Sequence, residues 1–196
     1  ELIEQLAACI ETPTPNVSKY LTHWGVGMIA SIFGRTSPLV LVLAGERQNT
    51  GKTEFFRRLL PPQLSNYYAE SKLDGGKDDD ILLTKKLIIM DDEFGGKSKL
   101  ESKRFKELTS KASFSIRLPY GRTHRDLKRL AVLAGTTNDL GLISDPTGNR
   151  RILPINVTAI NQLQYNAIDK SALFMAFYDL YQSGFKWELS SADIAE

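Results

Sequence analysis

The sequence predicts an α/β fold with a central, mainly parallel sheet covered by helices. Residues 37–158 alternate strand-like and helix-like runs, which is the pattern of parallel strands joined by crossover helices. Three of the strand-like runs, 39–43, 87–90 and 130–134, are apolar and are followed by polar side chains. Because ligands bind at the carboxyl ends of the strands in such sheets, we expect a functional site at that edge.

Helical segments are expected on both sides of this core. Apolar side chains at helical spacing predict one helix before the Pro13-Thr14-Pro15 break and a second near residues 17–33. Near the other end, an amphipathic pattern covers residues 168–182 and closes at Gly184. The expected units are an N-terminal helical segment (1–36), a core (37–160) and a C-terminal helical segment (161–196). Leu2, Ile3, Leu6 and Ile10 mark the first helix.

Composition limits the classes of protein to which the chain can belong. Its 196 residues, 42% of them hydrophobic, can bury one sizeable core. A net charge of +2 means that any nucleic-acid contact needs a local basic patch. Cys9, the single cysteine, cannot form an internal disulfide and fits a reducing cytoplasm. No apolar run approaches the roughly 20 residues that span a membrane, and the start at Glu1 indicates a piece of a longer protein.

The first strand-like run leads into a candidate phosphate-binding loop, Gln48-Asn49-Thr50-Gly51-Lys52-Thr53, followed by a helix expected over residues 54–60. Backbone N–H groups in such a loop and at the helix N-terminus face phosphates. Lys52 supplies a charge for the β- and γ-phosphates, and the Thr53 hydroxyl is placed to reach Mg²⁺. A plain strand-to-helix turn would explain the glycine but not the Lys-Thr pair. The sequence therefore predicts a nucleotide triphosphate and Mg²⁺ as ligands.

The spacing of this loop departs from the usual Gly-x-x-x-x-Gly-Lys pattern. Glu46 occupies the place of the first glycine, and Gly45 lies one residue too early. Either the loop is one residue longer than usual or the first glycine has been lost. We favour the longer loop, because Gly45 can still make the first tight turn.

The second apolar run ends in three acids, Asp91, Asp92 and Glu93. A carboxylate at the end of a buried parallel strand can hold the water shell of Mg²⁺, and the next can orient the attacking water. We assign Asp91 to the metal and Asp92 to the water, with Glu93 as the rival for the second role. Strands also end in solvated acids that have no such role, so the assignment depends on the preceding Gly-Lys-Thr turn.

The third apolar run ends in the Gly135-Thr136-Thr137-Asn138-Asp139 segment. The amide of Asn138 could hydrogen-bond the γ-phosphate or the attacking water. An asparagine here could equally serve as a helix N-cap or turn residue.

Paired arginines follow in the turn Asp145-Pro146-Thr147-Gly148-Asn149-Arg150-Arg151. Arginine binds phosphate in a bidentate manner, and one supplied in trans stabilises the transition state of phosphoryl transfer. The alternative is a solvated turn with two surface charges.

The order of these motifs resembles the virulence-associated protein E (VirE) family of P-loop ATPases from phages, plasmids and genomic islands. That family is similar to the superfamily 3 helicases of the AAA+ class. The Arg117-Leu118-Pro119-Tyr120-Gly121 segment resembles its Arg-Pro-Pro-Tyr-Gly motif, with Leu118 in place of a proline. The resemblance covers residues 20–190 and implies a P-loop NTPase fold around a five-stranded sheet.

The resemblance also implies roles that spacing cannot show. Asn138 would be the sensor residue, and Arg150 or Arg151 an arginine finger for a neighbouring subunit, which requires a homo-oligomer, typically a hexameric ring around DNA. A hairpin before the sensor strand would track single-stranded DNA, and a primase is a common neighbour in relatives. The candidate DNA contacts are Arg117, Tyr120, Arg122, His124 and Arg125. A basic run can also be a solvated surface, and Arg117 could instead touch ATP.

The expected function is that of an ATP-hydrolysing DNA helicase or replication-type motor domain. Two alternatives remain: a small-molecule kinase, and a regulatory module that binds ATP only to assemble. The Asn-tipped strand and the paired arginines suit hydrolysis in an assembly better than transfer to a bound acceptor.

Overall fold

A computed structural model describes residues 1–73, 77–94, 107–117, 123–142 and 151–189. Three predicted functional residues, Tyr120, Arg122 and Arg150, lie outside these ranges. No helix in the described ranges is both long and apolar enough to cross a membrane.

The expected sheet is present as five parallel strands: β2 (Val40–Ala44), β3 (Tyr68–Glu70), β4 (Ile88–Asp91), β7 (Val132–Thr137) and β8 (Ile152–Asn156). Their order across the sheet is β3-β4-β7-β2-β8. Strand β7 therefore lies between β2, which leads into the candidate phosphate-binding loop, and β4, which ends in the acids. Its carboxyl end is the one that carries Asn138.

One face of the sheet is covered by helices from both ends of the chain. Alternate residues of the strands, such as Leu41, Met90 and Leu153, join Trp24 and Phe177 of these helices in one buried cluster. The Trp24 indole N–H donates to the carbonyl of Leu133 at 2.8 Å, which ties its helix to the middle of the sheet. The helices on this face are α1 (Leu2–Ala8), α2 (Val17–Ile32), α3 (Lys52–Arg57), α6 (Gln162–Ala167) and α7 (Lys170–Gln182).

The opposite face carries a smaller apolar cluster beneath a hairpin. Val42, Ile89 and Leu133 pack there against Leu83 and Phe114. The strands of the hairpin pair antiparallel, with Ser113 opposite Lys128. The elements on this side are α4 (Lys77–Lys85), the helical residues 107–110 (α5), β5 (Ser113–Ile116) and β6 (Arg125–Lys128).

Several boundaries differ from the sequence-based expectations. Ile10, expected in the first helix, lies in β1 (Ile10–Glu11), which pairs with β9 (Ala159–Ile160). Helix α3 starts and ends earlier than the predicted 54–60. Just after α3, the Leu59 N–H donates to the Phe56 carbonyl, while the Tyr165 hydroxyl donates to the Phe55 carbonyl that a continuing helix would use. A tertiary contact thus ends this helix, and the local sequence does not reveal it.

Candidate functional site

The predicted edge of the sheet holds a cavity of about 900 Å³. Residues 48–54, 91–93 and 136–139 line it, so the candidate loop, the acids and the Asn segment meet at one place. A cavity of this size falls in the range that holds small-molecule ligands and cofactors, roughly 300–1,000 Å³.

The loop turns into helix α3 at Gly51, which has a left-handed backbone with φ 90°. Only glycine adopts this conformation without strain. A Cβ atom at position 51 would also approach the side-chain nitrogen of Gln162 in α6 to 2.2 Å. The C-terminal segment therefore packs directly against the turn that presents Lys52.

Gly45 is required for a different reason from the tight turn that we expected. A Cβ atom there would come within 2.3 Å of the Val157 carbonyl oxygen, next to the end of β8. The loop residues with positive φ are instead Asn49, at 59°, and Gly51. Gly45 thus allows a close approach between backbones, and the left-handed turns come later in the loop.

The Lys52 ammonium lies among oxygen atoms of the loop. It donates to the carbonyls of Gly45 and Arg47, each at 2.9 Å, and to the Asn138 Oδ1 atom at 3.2 Å. Lys52 is 7% exposed, and burial lowers the pKa of its ammonium, an effect that the nearby Asp92 carboxylate opposes. Within the described residues, the hydrogen bonds of this cation go to neutral acceptors, and its side chain lines the cavity.

Asp92 joins the loop helix to the central strand. Its Oδ1 atom accepts hydrogen bonds from the Thr53 and Thr136 hydroxyls, both at 2.7 Å. Sequence reasoning quoted Thr136 only as part of a motif and gave it no role. Its contribution follows from the strand order, which puts β7 between β2 and β4.

The other two acids have different surroundings. Asp91 is fully buried at the end of β4, and its Oδ1 atom accepts the Glu93 backbone N–H at 3.1 Å. Glu93 forms a 2.6 Å ion pair with Lys72, and both side chains are 71% exposed. Sequence reasoning missed Lys72, which has no motif around it and reaches the cavity only because β3 lies beside β4.

Asn138 points into the site and is not used as a local cap. The turn after β7 is closed by other side chains: the Asp139 N–H donates to Thr137 Oγ1, and the Gly141 N–H donates to Asp139 Oδ1. The Asn138 amide oxygen faces Lys52 instead. The alternative of a turn-forming asparagine is therefore not supported.

Arg151 lies at the end of the sheet opposite to the cavity, where the parallel strands begin. It immediately precedes β8, which runs parallel to β2 with Ile152 beside Val40, so it is near the strand starts rather than their carboxyl ends. Its guanidinium donates to the Thr109 and Ser110 hydroxyls. The cavity of its own chain is lined at the carboxyl ends of the strands, so the length of a strand separates Arg151 from it.

The hairpin positions the described members of the predicted DNA-contact set on the surface. Arg117 directly follows β5, while His124 and Arg125 lie at the start of β6, and all three are exposed. Their exposure is compatible both with a nucleic-acid contact and with a solvated basic surface.

Comparisons with known proteins identify relatives of this fold. The virulence-associated protein E-like domain matches residues 2–196. Among solved structures, an apo A form of the NrS-1 C-terminal region has a TM-score of 0.62 at 16% identity, covering 100% of this chain and 46% of that one. A second apo structure of that region has a TM-score of 0.59 at 15% identity, covering 100% and 48%.

The chain thus spans about half the length of the solved structures that it resembles. At such low identity the likeness concerns the fold alone. Among curated proteins, none matches this chain. Since the domain match covers the sequence from residue 2 to residue 196, the chain belongs to the virulence-associated protein E-like domain family.

Proposed function

We propose that this chain is a P-loop ATPase that acts as the motor domain of a helicase-like DNA replication protein from a phage or other mobile element. The observation that carries the proposal is the meeting of Lys52, Thr53, Asp92 and Asn138 at one cavity. An ammonium, a hydroxyl, a carboxylate and an amide are the groups that phosphoryl transfer from a nucleotide requires.

The loop and helix α3 would bind the triphosphate. Phosphate oxygens would replace the Gly45 and Arg47 carbonyls as acceptors for the Lys52 ammonium. A charged acceptor makes a stronger hydrogen bond than a neutral carbonyl, so this exchange favours binding. The N-terminus of α3 would add its backbone N–H groups to the same phosphates.

The donor set near Thr53 fits a Mg²⁺ ion that reaches the protein through few ligands. Mg²⁺ prefers hard oxygen atoms and usually keeps several waters beside one or two protein groups and the substrate phosphates. Thr53 and Asp92 offer a hydroxyl and a carboxylate oxygen 2.7 Å apart. When bound, the ion would neutralise charge on the β- and γ-phosphates.

This geometry favours different roles for the three acids from those assigned from the sequence, which gave the metal to Asp91 and the water to Asp92. Asp92, in contact with Thr53, is better placed than the buried Asp91 to support the metal. Glu93, which also lines the cavity, then becomes the candidate that orients the attacking water and accepts its proton. Water would attack the γ-phosphorus as the bond to the β-phosphate oxygen breaks, leaving ADP and inorganic phosphate.

Completion of the site would require a second copy of the chain. Arg151 is separated from its own cavity by the length of β8, so it would act in trans. Arg150, the other candidate for this role, lies outside the described residues. An arginine supplied in this way raises the turnover rate about 10³-fold or more. A ring, with six copies as the expected number, would place such an arginine at every site and surround a DNA strand with the hairpins.

A hydrolysis assay with and without single-stranded DNA tests the proposal. We expect phosphate release that rises with DNA and is lost in Lys52→Ala, while Lys85→Ala, an exposed lysine on α4, serves as the matched control. Unchanged release in Lys52→Ala would refute the site. Tight nucleotide binding without turnover would favour the assembly module, and phosphorylation of an added acceptor would favour the kinase.

A further inference from the structure

A buried arginine lies at the base of the hairpin. Arg129 directly follows β6 and is only 1% exposed. Its guanidinium donates to main-chain carbonyls of Leu108 at 2.8 Å, Thr109 at 2.9 Å and Ala131 at 3.0 Å, and also to that of Ser37. One side chain therefore holds the chain before β2, the end of α5 and the start of β7.

The acceptors explain how a cation can be buried here. The Leu108 and Thr109 carbonyls belong to the last residues of a helical segment, where carbonyls carry partial negative charge. The Leu108 carbonyl also accepts the Lys111 backbone N–H at 3.2 Å, so it is shared between this turn and Arg129. Burial and the positive charge of Arg151 nevertheless lower the pKa of Arg129 to about 10. A buried charge is costly, so hydrophobic packing would serve stability alone at least as well.

The segment that Arg129 holds is the same one that receives Arg151. The Arg151 guanidinium donates to the Thr109 Oγ1 atom at 2.8 Å and to the Ser110 Oγ atom at 2.5 Å. Thr109 thus offers its carbonyl to Arg129 and its hydroxyl to Arg151. The rotamer of Arg151 depends on where Thr109 and Ser110 are, and Arg129 fixes their backbone.

The same arginine is also joined to the hairpin. Its backbone N–H donates to the carbonyl of Ala112, the residue before β5, at 2.9 Å, and Arg129 itself directly follows β6. Both strands of the hairpin therefore meet at Arg129. A displacement of the hairpin would move the guanidinium and, with it, the support of Arg151.

We infer that Arg129, Thr109 and Ser110 form a positioning unit that presents Arg151 to the phosphates of a nucleotide bound by a neighbouring copy. This inference rests on the proposed function, because it assigns the trans arginine to that reaction. Arg129 is a positioning residue, since it acts through Arg151, and its link to the hairpin would let bound DNA adjust the cation.

The claim that Thr109, Ser110 and Arg129 position Arg151 is tested by the reactivity of the Arg151 guanidinium towards phenylglyoxal. The modified peptide is measured by mass spectrometry. Arg35, 57% exposed in its side chain, is the internal reference. The double variant Thr109→Val/Ser110→Ala, called here the hydroxyl-free variant, removes both hydroxyl partners of Arg151. It should raise the rate at which phenylglyoxal modifies Arg151 about tenfold, the effect of losing two hydrogen bonds. Arg129→Lys should raise it similarly, and Ser183→Ala, a hydroxyl on the distant end of α7, should not.

The catalytic role is tested by measuring hydrolysis by each variant alone and after mixing with Lys52→Ala protein, which keeps an intact Arg151. Alone, the hydroxyl-free variant should bind nucleotide within twofold of wild type but lose at least tenfold in turnover, as Arg151→Ala does. Each should recover part of its activity in the mixture, and no recovery would reject the action of Arg151 in trans. Combining the hydroxyl-free variant with Arg151→Ala in one chain should cause no further loss. Should Arg129→Lys fail to fold, the hydroxyl-free variant still decides the matter, because it leaves the carbonyl acceptors intact.

Unchanged Arg151 reactivity in the hydroxyl-free variant would overturn the inference. Raised reactivity together with full activity of Arg151→Ala would uphold the positioning unit but reject the trans arginine of the proposed function. Wild-type hydrolysis by the hydroxyl-free variant alone, with Arg151→Ala alone inactive, would show that this arginine needs no support from Thr109 and Ser110, which also overturns the inference.

Discussion

Replacing Gly51 by alanine should destabilise the protein through two separable effects. The first is conformational, because φ at this position is 90°. An L-residue in the left-handed region costs roughly 1–2 kcal/mol. The second is steric, because the new Cβ atom would come within 2.2 Å of the Gln162 side-chain nitrogen.

The size of the steric effect follows from what Gln162 can do. Its amide nitrogen is buried and makes no hydrogen bond within the described part of the chain, so the side chain can rotate without breaking one. Forcing it from its rotamer costs about 0.5–1.5 kcal/mol. Gly51→Ala should therefore lower the free energy of unfolding by about 1.5–3.5 kcal/mol.

A double-mutant cycle separates the two contributions. Gln162→Ala alone should change the unfolding free energy by less than about 0.5 kcal/mol. In that background, Gly51→Ala should cost only the conformational part, about 1–2 kcal/mol, as measured by urea denaturation. A Gly51→Ala protein as stable as wild type, or an unchanged cost after Gln162→Ala, would refute the packing of α6 against this loop.

Three further predictions concern the pH dependence, the acids and the hairpin. Burial raises the pKa of the Tyr165 phenol, so above about pH 10 the unfolded chain loses this proton first and the unfolding free energy falls, by up to about 1.4 kcal/mol per pH unit. Denaturation at pH 9, 10 and 11 should show a shallower fall in Tyr165→Phe, and an identical slope would contradict the assignment. Lys72→Ala should raise basal ATP turnover by less than about fivefold by releasing Glu93 from an exposed ion pair, and a phosphate-release assay that shows a decrease would oppose this role. Arg125→Ala should lower the slope of log affinity for single-stranded DNA against log salt by about 0.7, and anisotropy titrations with an unchanged slope would place Arg125 outside the interface.

The strands of the fold could be predicted because burial on both faces leaves a strong local signal. The runs 39–43 and 87–90 fall within one residue of β2 and β4. Two features had no such signal. Ile10 forms a strand only because Ile160 is its partner far along the chain, and α3 ends where Tyr165 takes the Phe55 carbonyl. Both depend on tertiary contacts that override the local pattern.

The same distinction applies to the site. The loop, the acids and Asn138 could be placed at one edge because polar residues end buried parallel strands. The order of the strands could not be predicted from local patterns. The contact of Thr136 with Asp92 and the position of Lys72 depend on that order, so they could not be predicted either. The proposed role of Arg151 in trans would depend on a second copy, so the structure of one chain does not show it.

The central claim is that Lys52, Thr53, Asp92 and Asn138 bind one nucleotide triphosphate. Calorimetric titration of wild-type and Lys52→Ala protein with Mg·ATP tests it most directly, with Lys85→Ala as the control. We predict one saturable site in the wild type and an affinity at least about tenfold weaker in Lys52→Ala, as expected from losing a charged hydrogen bond. Equal affinity in the two proteins, or no binding by the wild type, would contradict the claim.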